Sequence, residues 1–422
     1  MGADPPSVGR SVLGRLRAGL LAEPTLAARL RATTSEDELA SVVIGAAGEQ
    51  GWVLDRAAVA EAVAQARRER LRQHAGMAGR PGRATWVGTA VGEPGPLPAL
   101  CPATDVTGAS PIGIGVRCGE LVVEWCDLRG VSFDDPFFGM TVSRALAEPY
   151  RALTIRYTGL DALLALDDAV ERSPDCLIFH VSRCGSTLLS RVLGALPGAS
   201  TISEAPAIDV VIGAPGIDTA TRLRALRALV GALGCVEGPA AGPRVVKLDA
   251  WAIHDLQLLS QAFPNTPRVF LYRDPREVIA SQMRMRGIQM IPGAIGRNAP
   301  PAGMHSGEEF CAAVIDGFAQ AALAGLRDAD LLVSYDELPG AVLKRVMPHI
   351  GIAPSPSAIE RIRATALRDA KAPEFPFEAL AHAAERPITA RIEGAARRLA
   401  WSSYERLERR RLAQLAAEPL AR

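Results

Sequence analysis

Residues 176–193 read CLIFHVSRCGSTLLSRVL. Apolar β-forming residues run to Val181, a short polar turn follows, and leucines at helical spacing come after it. The stretch therefore predicts a strand, a loop and a helix. A helix that begins in such a turn presents backbone N–H groups and the positive end of its dipole to the loop, which suits a phosphate or a sulfate. The loop has no lysine, whereas the Walker A motif, G-x-x-x-x-G-K-[ST], requires one.

The same alternation of strands and helices continues towards the C-terminus. Further strands are predicted at 244–248, 268–272 and 331–335, with helical stretches between them. This order predicts an α/β fold, a parallel sheet flanked by helices. Because such sheets bind ligands at the carboxyl ends of their strands, the loop after residue 181 lies where a site is expected.

Three regions are predicted along the chain. Residues 1–75 have helical patterns, with Ser35 and Asp55 placed to cap two of three helices, and predict a small all-α module. Residues 76–170 begin with a Gly- and Pro-rich linker and continue as a β-rich accessory region with a hairpin about Gly119. Residues 171–422 form the α/β domain.

Composition excludes several classes of function. The 422 residues include 47 basic and 46 acidic ones, so no net charge draws the chain to nucleic acid or to a membrane surface. No signal peptide and no apolar run of about 18 residues is present. Seven scattered cysteines without a C-x-x-C pair predict reduced thiols in a cytoplasm and no metal site. Richness in Ala, Arg and Gly is typical of GC-rich bacteria. The sequence does not indicate an oligomeric state.

A second motif, RDPREVIAS, spans residues 273–281 and follows another predicted strand. Arg273 lies at the end of that strand and Ser281 lies two helical turns further on, so both can face one phosphate. With both motifs in place, residues 175 to about 410 resemble the sulfotransferases that use 3′-phosphoadenosine 5′-phosphosulfate (PAPS). That family has a phosphosulfate loop R-[ST]-G-[TS]-T and a 3′-phosphate motif R-D-P-R-x-x-x-x-S, and the tyrosylprotein type is nearest in pattern.

The resemblance implies PAPS as cofactor, 3′,5′-ADP as product and no metal. Arg273 and Ser281 would contact the 3′-phosphate, with Arg276 as a further candidate because the family's C-terminal R-K-G loop is absent. Cys184 stands where the family has Ser or Thr, so redox-sensitive activity is expected. The residues expected around the 5′-phosphosulfate are Arg183, Cys184, Gly185, Ser186, Thr187 and Leu188.

The resemblance also implies catalytic residues. Arg183 would hold the leaving group, and Lys247, at the end of a neighbouring strand, resembles the family's catalytic lysine. Two carboxylates compete for the role of base. Glu204 has the position of the catalytic glutamate of tyrosylprotein sulfotransferases and is favoured, whereas Asp249 stands where cytosolic members place a histidine. His180, with His254, is interpreted as structural.

The front of the chain departs from that family. Residues 20–54 resemble a Nif11-like domain, a helical unit known as a leader of modified bacterial peptides, which implies either recruitment of a peptide or an inert cap. Four aromatic residues cluster later in this region, and they either roof an acceptor pocket or form a core of their own. They are Trp125, Phe133, Phe137 and Phe138.

Three functions remain. The first is transfer of a sulfuryl group from PAPS to a hydroxyl or amine of a peptide or small natural product. The second is a P-loop nucleotide kinase or phosphotransferase, which the missing Walker lysine and the lack of an acidic Mg²⁺ strand motif disfavour. The third is a non-catalytic nucleotide or peptide binder, disfavoured by the presence of Lys247 and both carboxylates. The sequence does not identify the acceptor.

Overall fold

The structure is a computed structural model that describes residues 24–64, 100–117, 119–166, 173–233, 242–295, 306–371 and 387–417. The helix predicted before residue 24 and the Gly- and Pro-rich linker lie outside these residues. The described chain forms two compact units. The first unit comprises residues 24–64, 100–131 and 139–166, and the second comprises residues 132–138 and those from 173 onward.

The first unit combines helices with a small antiparallel sheet. Ser35 and Asp55 cap two helices as predicted, accepting from the N–H groups of Glu38 (3.2 Å) and Ala58 (2.7 Å). The strands pair in the order β1-β2-β3, and the predicted hairpin turns at Gly119, whose φ is 86°. The helices are α1 Pro24–Arg31, α2 Glu36–Glu49, α3 at 56–64, α4 Phe138–Ala147, α5 Pro149–Leu153 and α6 Leu160–Leu164, with a 3₁₀ turn Ala103–Val106. The strands are β1 Ser110–Arg117, β2 Glu120–Cys126 and β3 Arg156–Gly159.

One core joins the N-terminal helices to the middle of the chain. Buried side chains of α1, α2 and α3 pack with Tyr150, Ala152 and Leu153. Beside them, the buried Asp127 carboxylate pairs with Arg129 (2.7 Å) and Arg31 (2.9 Å). The helical and β-rich regions, which were predicted separately, thus share apolar and polar contacts. The boundaries given for them from the sequence remain predictions.

The second unit contains the parallel sheet, which confirms the predicted fold class. Its strands are ordered β5-β6-β4-β7-β8, so the strand of the opening stretch is central. Every residue of these strands is buried, as expected where helices cover a parallel sheet. The strands are β4 Cys176–His180, β5 Ser200–Ser203, β6 Arg244–Lys247, β7 Arg268–Tyr272 and β8 Leu331–Ser334. Four match the prediction, and β5 was not predicted.

Helices surround this sheet. The side chains of α7 pack with the sheet and with the helical turns around residue 350 in one apolar core. The helices are α7 Ser186–Gly194, α8 Pro206–Gly213, α9 Thr219–Ala232, α10 Leu256–Ala262, α11 Pro275–Arg284, α12 Gly307–Gly325, α13 Pro356–Ala366, α14 Ala390–Leu399 and α15 Trp401–Ala417. Shorter turns are Ala250–Asp255, Ile288–Met290, Tyr335–Glu337 and the π-helical Val342–Val346, which continues into Met347–His349. In the described part of the chain, no helix is long and apolar enough to cross a membrane.

Strand register determines what meets at the carboxyl edge. Lys247 is level with Ile178 of β4 on one side and with Ser203 of β5 on the other. His180 of β4 is level with Leu271 of β7. Because parallel strands end together, the loops that follow β4, β5, β6 and β7 emerge at one edge.

Candidate functional site

The loop after β4 has an unusual backbone. Gly185 has a φ of 85°, and a Cβ there would lie 2.9 Å from the Tyr335 ring and 3.0 Å from Leu338, so no larger residue fits. Arg183 also lies in the left-handed region, with a φ of 63°. For a residue other than glycine this conformation costs about 1 kcal/mol or more and is concentrated at functional sites.

Helix α7 begins at this loop without a side-chain cap from the described residues. Gly185 is the N-cap, and no side chain in the described chain caps the helix there. Ser186 and Thr187 are buried in the first turn. Their backbone N–H groups and the helix dipole favour an anion at this position.

Cys184 differs from the expectation. Its side chain is fully buried, and its thiol donates a hydrogen bond to the carbonyl oxygen of Leu271 at 3.3 Å. Burial raises the pKa of the Cys184 thiol to about 12. A buried thiol with a raised pKa is inert, so the expected redox sensitivity loses its basis and Cys184 can serve an anion through its backbone alone.

Lys247 lies at the centre of the site. It is the last residue of β6, and its side chain is fully buried. The Nζ atom lies 2.9 Å from Oε1 of Glu204 and donates to Oγ1 of Thr187 at 3.5 Å. The structure thus brings the predicted catalytic lysine together with a predicted base and with the first turn of α7.

Glu204 follows β5 with a φ of 55°, again in the left-handed region. Its backbone N–H donates to the carbonyl oxygen of Lys247 at 2.7 Å. Burial raises the pKa of the Glu204 carboxyl, but the Lys247 ammonium and a hydrogen bond from His180 outweigh it and lower the pKa to about 2. The group is therefore ionised at neutral pH and is a modest base.

His180, interpreted as structural, contacts backbone carbonyl oxygens and lies beside Glu204. Its Nε2 lies 3.0 Å from the carbonyl oxygen of Leu248 and 3.6 Å from Oε1 of Glu204. Its Nδ1 lies 3.2 Å from the carbonyl oxygen of Val181. The ring thus links the end of β4 to the residue after Lys247 and faces the carboxylate.

Asp249, the other candidate base, has the opposite electrostatic environment. Burial raises the pKa of its carboxyl well above the ordinary value, and the negative charges of Asp209 and Glu204 add to the effect. Asp209 is itself held by Trp251, whose Nε1 donates to Oδ2 at 2.9 Å. The pKa of the Glu204 carboxyl is thus lowered and that of the Asp249 carboxyl is raised, and opposite shifts of this kind separate the roles of two carboxyls.

The second motif lies beside the loop. The Arg273 guanidinium stacks on the Tyr335 ring, 3.9 Å from its centroid, and forms an ion pair with Glu277. The Tyr335 ring also packs against Gly185, so residues of both motifs lie against this ring. Ser281 is buried in α11.

Arg276, the further candidate for the 3′-phosphate, has other contacts. Its Nη2 lies 2.6 Å from Asp274, and its Nη1 lies 3.4 Å from Glu393. The guanidinium also lies 4.8 Å from the centre of the Trp401 ring. These contacts hold it at the start of α11, and a phosphate would have to displace them.

Three of the four clustered aromatic residues fit the interpretation as a core, whereas the fourth lies beside a candidate site residue. Trp125, Phe133 and Phe138 are buried, as core residues are. Phe137 is half-buried, and the Lys247 Nζ lies 4.8 Å from its ring centre. Lys371 approaches the same ring, with its Nζ at 5.9 Å.

Tyr335 and Lys371 were not predicted as site residues. Tyr335 is visible in the sequence as an aromatic residue at the end of a strand, and Lys371 as a rare lysine among many arginines. In the described chain, no group of three or more His, Cys, Asp or Glu side chains could hold a metal ion.

No protein-family model matches the chain, and no curated protein matches it. Three sulfotransferases of known structure are similar to parts of it. STF1 from Mycobacterium tuberculosis H37Rv is 14% identical over 47% of this chain and 73% of its own, with a TM-score of 0.31. The sulfotransferase domain from the curacin biosynthetic pathway is 17% identical over 54% and 98%, with a TM-score of 0.35. STF9 from Mycobacterium avium is 12% identical over 77% and 94%, with a TM-score of 0.33. Similarity at this level does not establish a shared activity.

Proposed function

We propose that the protein is a sulfotransferase that transfers a sulfuryl group from PAPS to a hydroxyl or amine acceptor. The observation that carries this proposal is the meeting of Lys247, Glu204 and the uncapped start of α7 at one edge of the sheet. A permanent cation, Arg183, precedes that helix in the same loop. This arrangement suits a bound anion that has the reacting hydroxyl of the acceptor beside it.

The residues fit a nucleotide that has two separate phosphate groups. The loop after β4 offers one anion site, and Arg273 after the adjacent β7 offers a second. Gln282 of α11 donates to Oγ of Ser182 at 2.9 Å, which joins α11 to the loop after β4. The 5′-phosphosulfate of PAPS would occupy the first anion site, at Arg183 to Leu188. Its 3′-phosphate would occupy the second, at Arg273 and Ser281.

The catalytic roles follow from charge and position. When bound, PAPS supplies a sulfuryl group attached to a phosphate leaving group. Arg183 would neutralise the charge that develops on that phosphate, by two parallel N–H bonds that a lysine could not make. Lys247 would stabilise the sulfuryl oxygens, and Glu204 would accept the proton that the acceptor loses as its oxygen bonds to sulfur.

Asp249 would donate a hydrogen bond rather than accept a proton, because its raised carboxyl pKa favours the protonated form. The acceptor that we propose is a broad class, a hydroxyl or amine on a peptide or small natural product. If the acceptor is a peptide, the N-terminal helices of the first unit would recruit it. A cytoplasmic location remains a prediction.

Nucleotide selectivity tests the proposal. Calorimetric titration should show clear preference for 3′,5′-ADP over 5′-ADP and over ATP with Mg²⁺, because Arg273 and Ser281 would contact the 3′-phosphate. Arg273→Ala should remove that preference, whereas Arg183→Ala should mainly abolish turnover. Preference for ATP with Mg²⁺ would replace this proposal with the kinase alternative.

A further inference from the structure

Lys371 is held at the site by the helix that begins in the phosphosulfate loop. Arg191 of α7 donates from Nη1 to the carbonyl oxygens of Asp369 (3.4 Å) and Ala370 (3.5 Å). The N–H of Lys371 donates to Oδ1 of Asp369 at 2.8 Å, which fixes the bend after α13. The backbone position of Lys371 thus depends on α7 itself.

The side chain of Lys371 extends towards the reacting edge of the sheet. Its Nζ lies 5.9 Å from the centre of the Phe137 ring, and the Nζ of Lys247 lies 4.8 Å from the same centre. Lys371 as a residue is exposed, whereas Lys247 is fully buried. The chain has three lysines, and two of them meet at this ring.

Two cations and two carboxylates act on Lys371. The charged groups that act on it are Arg183 of the loop, Lys247 of β6, Glu204 after β5 and its neighbour Asp369. Loss of hydration and the charges of Arg183 and Lys247 lower the pKa of Lys371 to about 8, against the opposing effects of the two carboxylates. Because Glu204 is already paired with Lys247, a bound anion would relieve the repulsion among three cations.

We propose that Lys371 is a third cation of the transfer site and that it binds the 5′-phosphate or phosphosulfate end of the donor nucleotide. The identity of this anion rests on the proposed function. The cationic role itself rests on the approach of Lys371 and Lys247 to the same Phe137 ring and on the hydrogen bonds that hold Asp369 and Ala370 to α7.

Anion binding should then be coupled to proton uptake. A bound phosphate favours the charged ammonium and raises the pKa of Lys371 above its value in the unliganded protein. Above about pH 8 the unliganded protein has lost this proton and must regain it on binding. We expect the affinity for a phosphate ligand to fall roughly five- to tenfold between pH 7.5 and pH 9.

The test is calorimetric titration of the full chain with 3′,5′-ADP at pH 7.5 and pH 9.0. Lys371→Arg keeps a permanent charge and should bind with nearly equal affinity at both pH values. Lys371→Met should bind about tenfold more weakly than wild type at pH 7.5 and show little further loss at pH 9. Lys344→Met, at an exposed lysine away from the site, should behave as wild type. Wild-type affinity and wild-type pH dependence in both Lys371 variants would overturn the proposal.

Pyrophosphate as a second ligand separates this proposal from the proposed function. If wild type binds pyrophosphate with a loss at pH 9 that Lys371→Arg removes, but does not prefer 3′,5′-ADP, the sulfotransferase proposal fails and the role of Lys371 stands. If 3′,5′-ADP is preferred and Lys371 variants bind as wild type, the role of Lys371 fails alone. If neither ligand binds, both are overturned. Equal thermal unfolding temperatures would show that the variants are folded.

Discussion

Arg183 combines a strained backbone with the proposed contact to the leaving group. Arg183→Gly and Arg183→Ala both remove the guanidinium, but glycine adopts a φ of 63° without the cost that alanine retains. We expect Arg183→Gly to have a free energy of unfolding about 1 kcal/mol above that of Arg183→Ala, while both lose turnover. Chemical denaturation gives the difference, and equal stabilities would mean that the loop relaxes in the variants.

Lys247 and Glu204 should depend on each other for stability. Lys247→Met leaves the Glu204 carboxylate partly buried without its cation, so we expect a loss of about 2 kcal/mol in the free energy of unfolding. The double variant Lys247→Met/Glu204→Gln should recover part of that loss. Additive losses in this double-mutant cycle would contradict the coupling.

Glu204 also makes stability depend on pH. Its pKa falls from the usual 4.5 to about 2 in the folded protein, so its contribution is complete above about pH 4.5 and is lost as the pH falls towards 2. Glu204→Gln should flatten the stability curve in this acidic range. An unchanged curve would show that other carboxylates dominate it.

The loop between β4 and α7 requires its glycine. Gly185→Ala adds a methyl group 2.9 Å from the Tyr335 ring at a φ of 85°, so we expect a loss of about 2 kcal/mol or more in stability and a large loss of nucleotide affinity. Gly213→Ala is the matched control, since nothing lies within 4 Å of an added Cβ there. Similar effects of both changes would contradict a close-packed loop.

Arg191 connects α7 to the segment that carries Lys371. Arg191→Ala removes its bonds to the carbonyl oxygens of Asp369 and Ala370, and we expect about fivefold weaker binding of 3′,5′-ADP. Arg361→Ala is the control, because Arg361 donates to the carbonyl oxygen of Ala195, the C-cap of the same helix. Affinity that falls equally in both variants would assign the effect to α7 in general.

Strand prediction from sequence succeeded where strands are apolar and failed at β5. Four strands carry runs of buried aliphatic or aromatic residues, which period and composition reveal. Ser200–Ser203 reads STIS, and three of its four residues are hydroxylic. Its strand conformation comes from pairing with β6, a long-range contact that local propensity cannot indicate.

The first unit depends on a buried carboxylate. Burial raises the pKa of Asp127, but hydrogen bonds from Arg129 and Tyr150 outweigh it and lower the pKa. Asp127→Asn should speed amide exchange in α1 and α5, because Arg31 and Arg129 lose their counter-charge. Asp37→Asn removes an exposed pair with Arg56 and should leave exchange unchanged. Equal exchange in both variants would show that the Asp127 network is dispensable.

The motifs predicted which candidate residues lie at the carboxyl edge of the sheet, and the environment of each group came from the fold. Arg183, Lys247 and Arg273 were predicted because each lies at or just after the end of a strand of a parallel sheet. Sequence could not tell that Cys184 points into the core, since a side chain's direction in a turn depends on its φ and ψ. Nor could it order the pKa values of Glu204 and Asp249, which depend on neighbours such as Asp209 that lie far along the chain.

The most direct measurement is a crystal structure with 3′,5′-ADP bound. We predict the 5′-phosphate at the backbone N–H groups of residues 184–188, within reach of Arg183 and Lys247, and the 3′-phosphate at Arg273 and Ser281. A nucleotide bound away from this edge of the sheet, or one whose 3′-phosphate does not contact Arg273, would contradict the assignment of both motifs.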